Sequence, residues 1–122
     1  MDIVITVAQI LLTLVFTLGG LSKLMLPYAR FAKLPFQAWS NDFKPEHIRL
    51  IGVLELSAAV GLLLPLGLNS LTMLTPLAAV GIALIMAGAM VTHLRRLEYP
   101  NIVGNSIWLG LALFVAYSKL IA

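Results

Sequence analysis

The sequence contains no cysteine. Disulfide exchange, a thiolate nucleophile, iron–sulfur ligation and cysteine-type zinc sites are therefore excluded, while the compartment stays open. Charge is also scarce. Asp, Glu, Lys and Arg make up 11% of the 122 residues, against about a quarter in a soluble domain. No basic stripe with interleaved aromatics is present, so no nucleic-acid partner is expected. The only histidines are His47 and His93, and with Glu55 and Glu98 they show no helical metal-ligand spacing. A bis-histidine haem would need His47, which falls in a headgroup-level segment. No haem, metal or flavin motif is found.

What the sequence does have is apolar side chains, at 61% of the residues and a mean hydropathy of +1.02. A soluble domain of this size has too much surface to hide that fraction, so lipid is the solvent for most of it. The pattern predicts a single four-span domain over 1–122, with spans near 3–26, 48–66, 71–93 and 102–120. The segment before the first span's core has no basic region of the signal-peptide kind, and that span is read as retained. Pro27 stops the first span. Residues 66–70 are too few for anything but an antiparallel hairpin, and Pro100 is read as the breaker before the last span. The longer link, 28–47, mixes Tyr28, Phe31, Phe36, Trp39 and Phe43 with Arg30, Lys33 and Lys44, the composition of a segment at headgroup level. The expected fold is an all-α, up-and-down bundle of four transmembrane helices with an interfacial segment between the first and second. Arg30, Lys33, Lys44, Arg49, Arg95 and Arg96 fall on the side of two links, which the positive-inside rule puts in the cytoplasm with both termini outside.

Glu55 is the residue that needs a reason. It lies roughly 10 Å into the second span at 1.5 Å per residue, where an ionisable group is costly unless it is partnered or neutral. Gly52, Ala58 and Ala59 surround it on one helical face, which directs it into the bundle. In the first span Gln9, Thr13, Phe16, Gly20 and Lys23 form one stripe. Lys23 either snorkels to the headgroups or pairs with Glu55. His93 closes the third span, and Asn105 opens the fourth with Trp108 beside it. Antiparallel geometry brings Lys23, Glu55, His93 and Asn105 to the side of the basic links, and leaves the opposite half almost purely apolar. Two readings stay open: a structural hydrogen-bond network between helices, and a small-molecule site with a polar floor and apolar walls. Gly81 and Gly88 read as a helix-packing face, and Arg95-Arg96 as a topology signal and anionic-lipid contact.

At these residues the chain resembles the DoxX-like family of small integral membrane proteins. The resemblance rests on Gly19-Gly20-Leu21-Ser22-Lys23-Leu24 with Pro27, on Gly52-Val53-Leu54-Glu55-Leu56, and on Gly61-Leu62-Leu63-Leu64-Pro65. It continues at His93 and Asn105. It implies a four-helix membrane fold in a bacterial cytoplasmic membrane. It also implies a link to thiosulfate:quinone oxidoreduction, to catechol and hydroquinone tolerance, or to membrane complexes handling oxidative stress. Distant eukaryotic relatives look like assembly chaperones or cargo receptors.

Two functions are expected from these readings. In the first the chain binds a quinone or another lipophilic aromatic within a membrane oxidoreductase or oxidative-stress system. Glu55 and Lys23 then carry the proton chemistry, and His93, Asn105, Gly20, Gly52 and Trp108 line the ligand; electrons come from a partner. In the second the chain is a non-enzymatic accessory or assembly subunit. The expected partners are the bilayer and a second copy or a larger membrane complex.

Overall fold

The computed structural model describes residues 2–68 and 70–121. Four long helices form the bundle: α1 (Asp2–Met25), α3 (Pro45–Leu68), α4 (Leu74–Arg95) and α5 (Tyr99–Ile121). All four are long and apolar enough to cross a membrane. A short helix α2 (Tyr28–Ala32) and a 3-10 turn (Ala38–Asp42) lie between α1 and α3. The protein is therefore an all-α, up-and-down membrane bundle with an interfacial segment after its first helix.

Local chemistry sets the helix ends. Pro27 has no N–H to extend α1, and it disfavours helical backbone at the residue before it. Pro45 opens α3, where a missing N–H costs nothing, and Glu46 in the first turn faces the positive end of the helix dipole. Pro100 was expected to break the chain. It instead occupies the first turn of α5, again a position that tolerates proline. Between α3 and α4 the reversal runs three residues further than expected, through Leu71 in the left-handed region (φ 57°). Asn69, expected in that turn, lies outside the described residues.

The end of α4 carries more consequence. Arg96 caps it, Leu97 adopts φ 57°, and two crossed hydrogen bonds follow: Leu97 N–H to Leu94 O at 3.2 Å and Glu98 N–H to His93 O at 2.9 Å. This is the Schellman arrangement, in which a left-handed residue folds the chain back over its own last turn. Glycine usually fills that position. Here leucine does, and the fold-back sets Glu98 beside His93.

The helices pack as two tight antiparallel pairs, α1 with α3 and α4 with α5, joined mainly where α3 meets α4. The α1–α3 crossing is close because it is built on glycine. A Cβ on Gly20 would lie 2.8 Å from Gly52 O, and one on Gly52 would lie 3.0 Å from Gly20 O. Leu12, Phe16, Leu62, Ala79, Ile82, Ala112 and Val115 form the buried centre. Leu14, Leu18, Leu63, Leu77, Leu84, Ile107 and Leu113 face outward, as a lipid solvent requires.

Candidate functional site

The basic-link end of the bundle encloses a cavity of about 610 Å³, within the range of sites for drug-sized molecules. Every long helix and the interfacial segment contribute to its walls. Lys23, Glu55, His93, Asn105 and Trp108, the side chains singled out in the sequence, all line it.

Lys23 and Glu55 form an ion pair, Nζ to Oε1 at 2.7 Å, with both side chains nearly buried. Lys23 therefore does not snorkel. Its ammonium also lies 5.4 Å from the Phe31 ring and 6.0 Å from Trp39, so two aromatic faces add to its stabilisation. Among the described residues no hydrogen bond holds the Glu55 carboxylate, and the Nζ contact is poorly directed for one.

His93 faces the cavity from α4. Its Nδ1 lies 2.9 Å from Glu98 Oε1, and Arg96 donates Nε–H to Glu98 Oε2 at 3.1 Å. The second histidine nitrogen, Nε2, has no partner among the described residues. A ring held at Nδ1 by a carboxylate presents Nε2 in a defined orientation. Glu98 stands outside the span. Burial opposes its ionisation, but the hydrogen bonds from His93 and Arg96 outweigh that and hold its carboxyl below the usual range. The Asn105 side chain makes no hydrogen bond among the described residues and opens onto the cavity.

The interfacial segment is the cavity's cap. Phe31 is fully buried, and Trp39 packs edge-on against Phe31, Phe43 and His93, with centroids 6.3, 5.5 and 6.1 Å apart. Tyr28 donates its hydroxyl to Ser40 O at 2.9 Å and Phe43 O at 2.7 Å, which closes the segment on itself. Two clips tie it to the far pair of helices. Arg96 Nη1 meets Asp42 Oδ1 at 2.7 Å, and Asn101 Nδ2 donates to Phe36 O at 2.8 Å.

Several expectations need correction. Gly20 and Gly52, expected at the ligand, stand at the α1–α3 crossing instead, because each Cα faces the other's backbone; Gly19 lines the cavity. Gly81 and Gly88 are not packed against a helix of the chain, since a Cβ on either would meet no atom within 4 Å. Arg96 is not a free lipid contact but the bridge between Asp42 and Glu98. The far half is not purely apolar either. Gln9, Thr13, Thr75 and Ser118 are buried there, and Gln9 Nε2 donates to Leu62 O at 2.6 Å and approaches Thr75 Oγ1 at 3.3 Å. Pro65 leaves Gly61 O without its helical donor, and Gln9 engages the carbonyl next to that gap.

Trp39, Gln37, Thr92 and Asn101 in the cavity, and Glu98 beside it, are among the residues not expected there from the sequence. Trp39 carried a signal in the aromatic density of the link. Glu98 carried none, because its position depends on the left-handed turn at Leu97. Among the described residues no group of three or more His, Asp or Glu is placed to hold a metal ion.

No curated protein and no solved structure matches the chain. The family model of the DoxX-like family matches residues 7–115. That stretch runs from the middle of α1's first half to the last turns of α5 and contains every cavity-lining residue named above, and so the chain is an integral membrane protein that belongs to the DoxX-like family.

Proposed function

We propose that the cavity binds a lipophilic aromatic carbonyl compound of the quinone class, and that the chain serves a membrane oxidoreductase or oxidative-stress system. One observation carries this reading. Polar groups without partners among the described residues, the Asn105 amide and His93 Nε2, share a capped aromatic cavity with a buried ammonium–carboxylate pair. A quinone supplies two carbonyl acceptors and a flat ring, and it takes up electrons together with protons. Lys23 Nζ–H and Asn105 Nδ2–H are able to donate to a carbonyl oxygen. The indoles of Trp39 and Trp108 offer faces for a ring. Glu55 and His93 are able to hold a proton, and the Glu98 contact reaches from His93 toward the aqueous side. The basic links face the cytoplasm in this reading.

Both tryptophans of the chain line the cavity, and quinones quench indole fluorescence. Titration of the detergent-solubilised protein with a soluble naphthoquinone should give saturable quenching that Glu55→Gln weakens at least tenfold. Quenching equal in wild type and Glu55→Gln refutes the reading.

A second reading has its own observation. Lys23 and Glu55 pair with one another and join α1 to α3, as polar side chains do when they act as packing contacts. An accessory subunit would then lose stability or partner retention in Glu55→Gln and lose no ligand. Mass spectrometry of gently solubilised native protein, wild type and variant, separates the two by recording bound small molecules and co-purifying subunits together.

A further inference from the structure

A second hollow adjoins the cavity. It is a groove of about 480 Å³ between α3 and α4, lined by Leu54, Ser57, Gly61, Leu77, Gly81 and Leu84 among others. Leu84 and Ile85 line both spaces, so the groove begins where the cavity ends. The chemistry changes across that boundary. The cavity carries Lys23, Glu55, His93 and Asn105. The groove carries one polar side chain, Ser57, whose hydroxyl is turned back onto Val53 O at 2.8 Å.

The glycines mark the path. Gly88 lines the cavity and Gly81 the groove, two turns apart on one face of α4, about 10 Å at 1.5 Å per residue. Neither is needed for packing within the chain, because a Cβ on either meets nothing within 4 Å. Gly61 differs: its Cβ would stand 3.0 Å from Ala78 Cβ, where α3 and α4 touch. The helices thus close at Gly61 and part toward Glu55, and the strip from Gly81 to Gly88 lies open beside the gap.

The order of the two spaces matches that of an amphiphile with its polar ring at one membrane side. The polar cavity lies at the basic-link end; Leu84 and Ile85, shared by both spaces, stand midway along α4, and the groove runs from there past Gly81 to Leu74 in the first turn of α4, toward the opposite membrane side. We propose that cavity and groove form one bipartite site for an amphiphile, its polar ring in the cavity and its hydrocarbon tail in the groove, reached sideways from the bilayer between α3 and α4. The proposal rests on the cavity being a ligand site and adds the class of ligand: ring compounds with a lipid tail, rather than tail-less phenols or quinones. The occupant of the groove is the tail of the ligand in the cavity, because the two spaces meet at Leu84 and Ile85 and the groove's one polar side chain, Ser57, is turned back onto Val53 O.

The test fills the groove without disturbing the fold. Gly81→Leu projects a side chain into open space, and Ser57→Leu does the same from α3. Tryptophan quenching is measured for a tail-less methoxybenzoquinone and for the same ring carrying a decyl chain, in wild type and both variants. Comparing each quinone with itself across variants removes the effect of partitioning into detergent. Both variants should weaken the decyl compound at least tenfold and the tail-less one less than twofold. Equal effects on the two quinones overturn the proposal and leave the cavity reading standing. No saturable quenching by either quinone in wild type removes both. A change of oligomeric state in Gly81→Leu with both affinities unaltered assigns the groove to a second copy, and unaltered affinities with unaltered oligomeric state assign it to bulk lipid; either result overturns the proposal.

Discussion

Removing Lys23 should destabilise the bundle far more than removing Lys23 and Glu55 together. At 2.7 Å the pair attracts by about 6 kcal/mol with an effective dielectric constant near 20. Taking two ions out of water costs several kcal/mol each, so the intact pair contributes close to nothing net. Breaking it is another matter. Lys23→Met leaves the carboxylate buried without its partner, which costs about 3–5 kcal/mol. Lys23→Met with Glu55→Leu replaces both ions by apolar groups of similar length, and such replacements are neutral or stabilising by about 1–4 kcal/mol. The double variant should therefore recover all or most of the loss, with a coupling of at least about 3 kcal/mol. Unfolding in mixed micelles, driven by a denaturing detergent and followed by far-UV circular dichroism, measures all four corners of the cycle. Single variants that each cost less than about 1 kcal/mol would mean that water already solvates the pair, and the reasoning would fail.

Other outcomes follow from the same geometry. Gly20→Ala should cost about 1–3 kcal/mol, because its Cβ meets Gly52 O at 2.8 Å and Leu56 Cγ at 2.7 Å. Gly81→Ala, with nothing within 4 Å, should stay within about 0.5 kcal/mol of wild type; thermal unfolding compares the two. Glu98 has a lowered folded-state pKa, so its contribution is present above the ordinary value of 4.5 and is lost as pH falls below it. Thermal midpoints of wild type and Glu98→Gln should thus differ at neutral pH and converge on acidification below 4.5. A difference that grows on acidification would contradict the assignment. Arg96→Ala removes the clip to Asp42, so trypsin should cut faster after Lys33 in the cap and no faster after Lys119.

The four spans were legible because hydropathy and helix length are local properties. Pro27 gave the first boundary for the same reason. Their ends were less so. Pro100 reads equally as a breaker and as a first-turn residue, and only the length of the preceding turn decides between them. Lys23, Glu55, His93, Asn105 and Trp108 were found by asking which polar or amphipathic residues share one membrane side, and antiparallel connection alone brings them together. Glycine could not be sorted in this way. Gly20 and Gly52 serve helix contact while Gly81 and Gly88 border empty space, a difference that depends on what lies across the interface. The link's role as a cap was hidden too, since Trp39 meets His93 across a long stretch of sequence. Gln9 was visible on the inward stripe, but its partner is a backbone carbonyl next to the gap left by Pro65, and backbone carbonyls leave no mark in composition.

Two polar contacts at the cavity share a property with mechanical meaning. Lys23 answers Glu55 within the α1–α3 pair, and His93 answers Glu98 at the end of α4. Neither contact crosses the seam between the helix pairs. At the cavity the seam is faced mainly by apolar and aromatic surface and is clipped from above by Arg96 and Asn101. Widening it at that end leaves Lys23 on Glu55 and His93 on Glu98, and parts Arg96 from Asp42 while Arg96 keeps Glu98. The bundle resembles a clothes peg, hinged where Gly61 meets Ala78 and sprung by the cap. Opening its jaws strains the cap and leaves the Lys23–Glu55 pair whole.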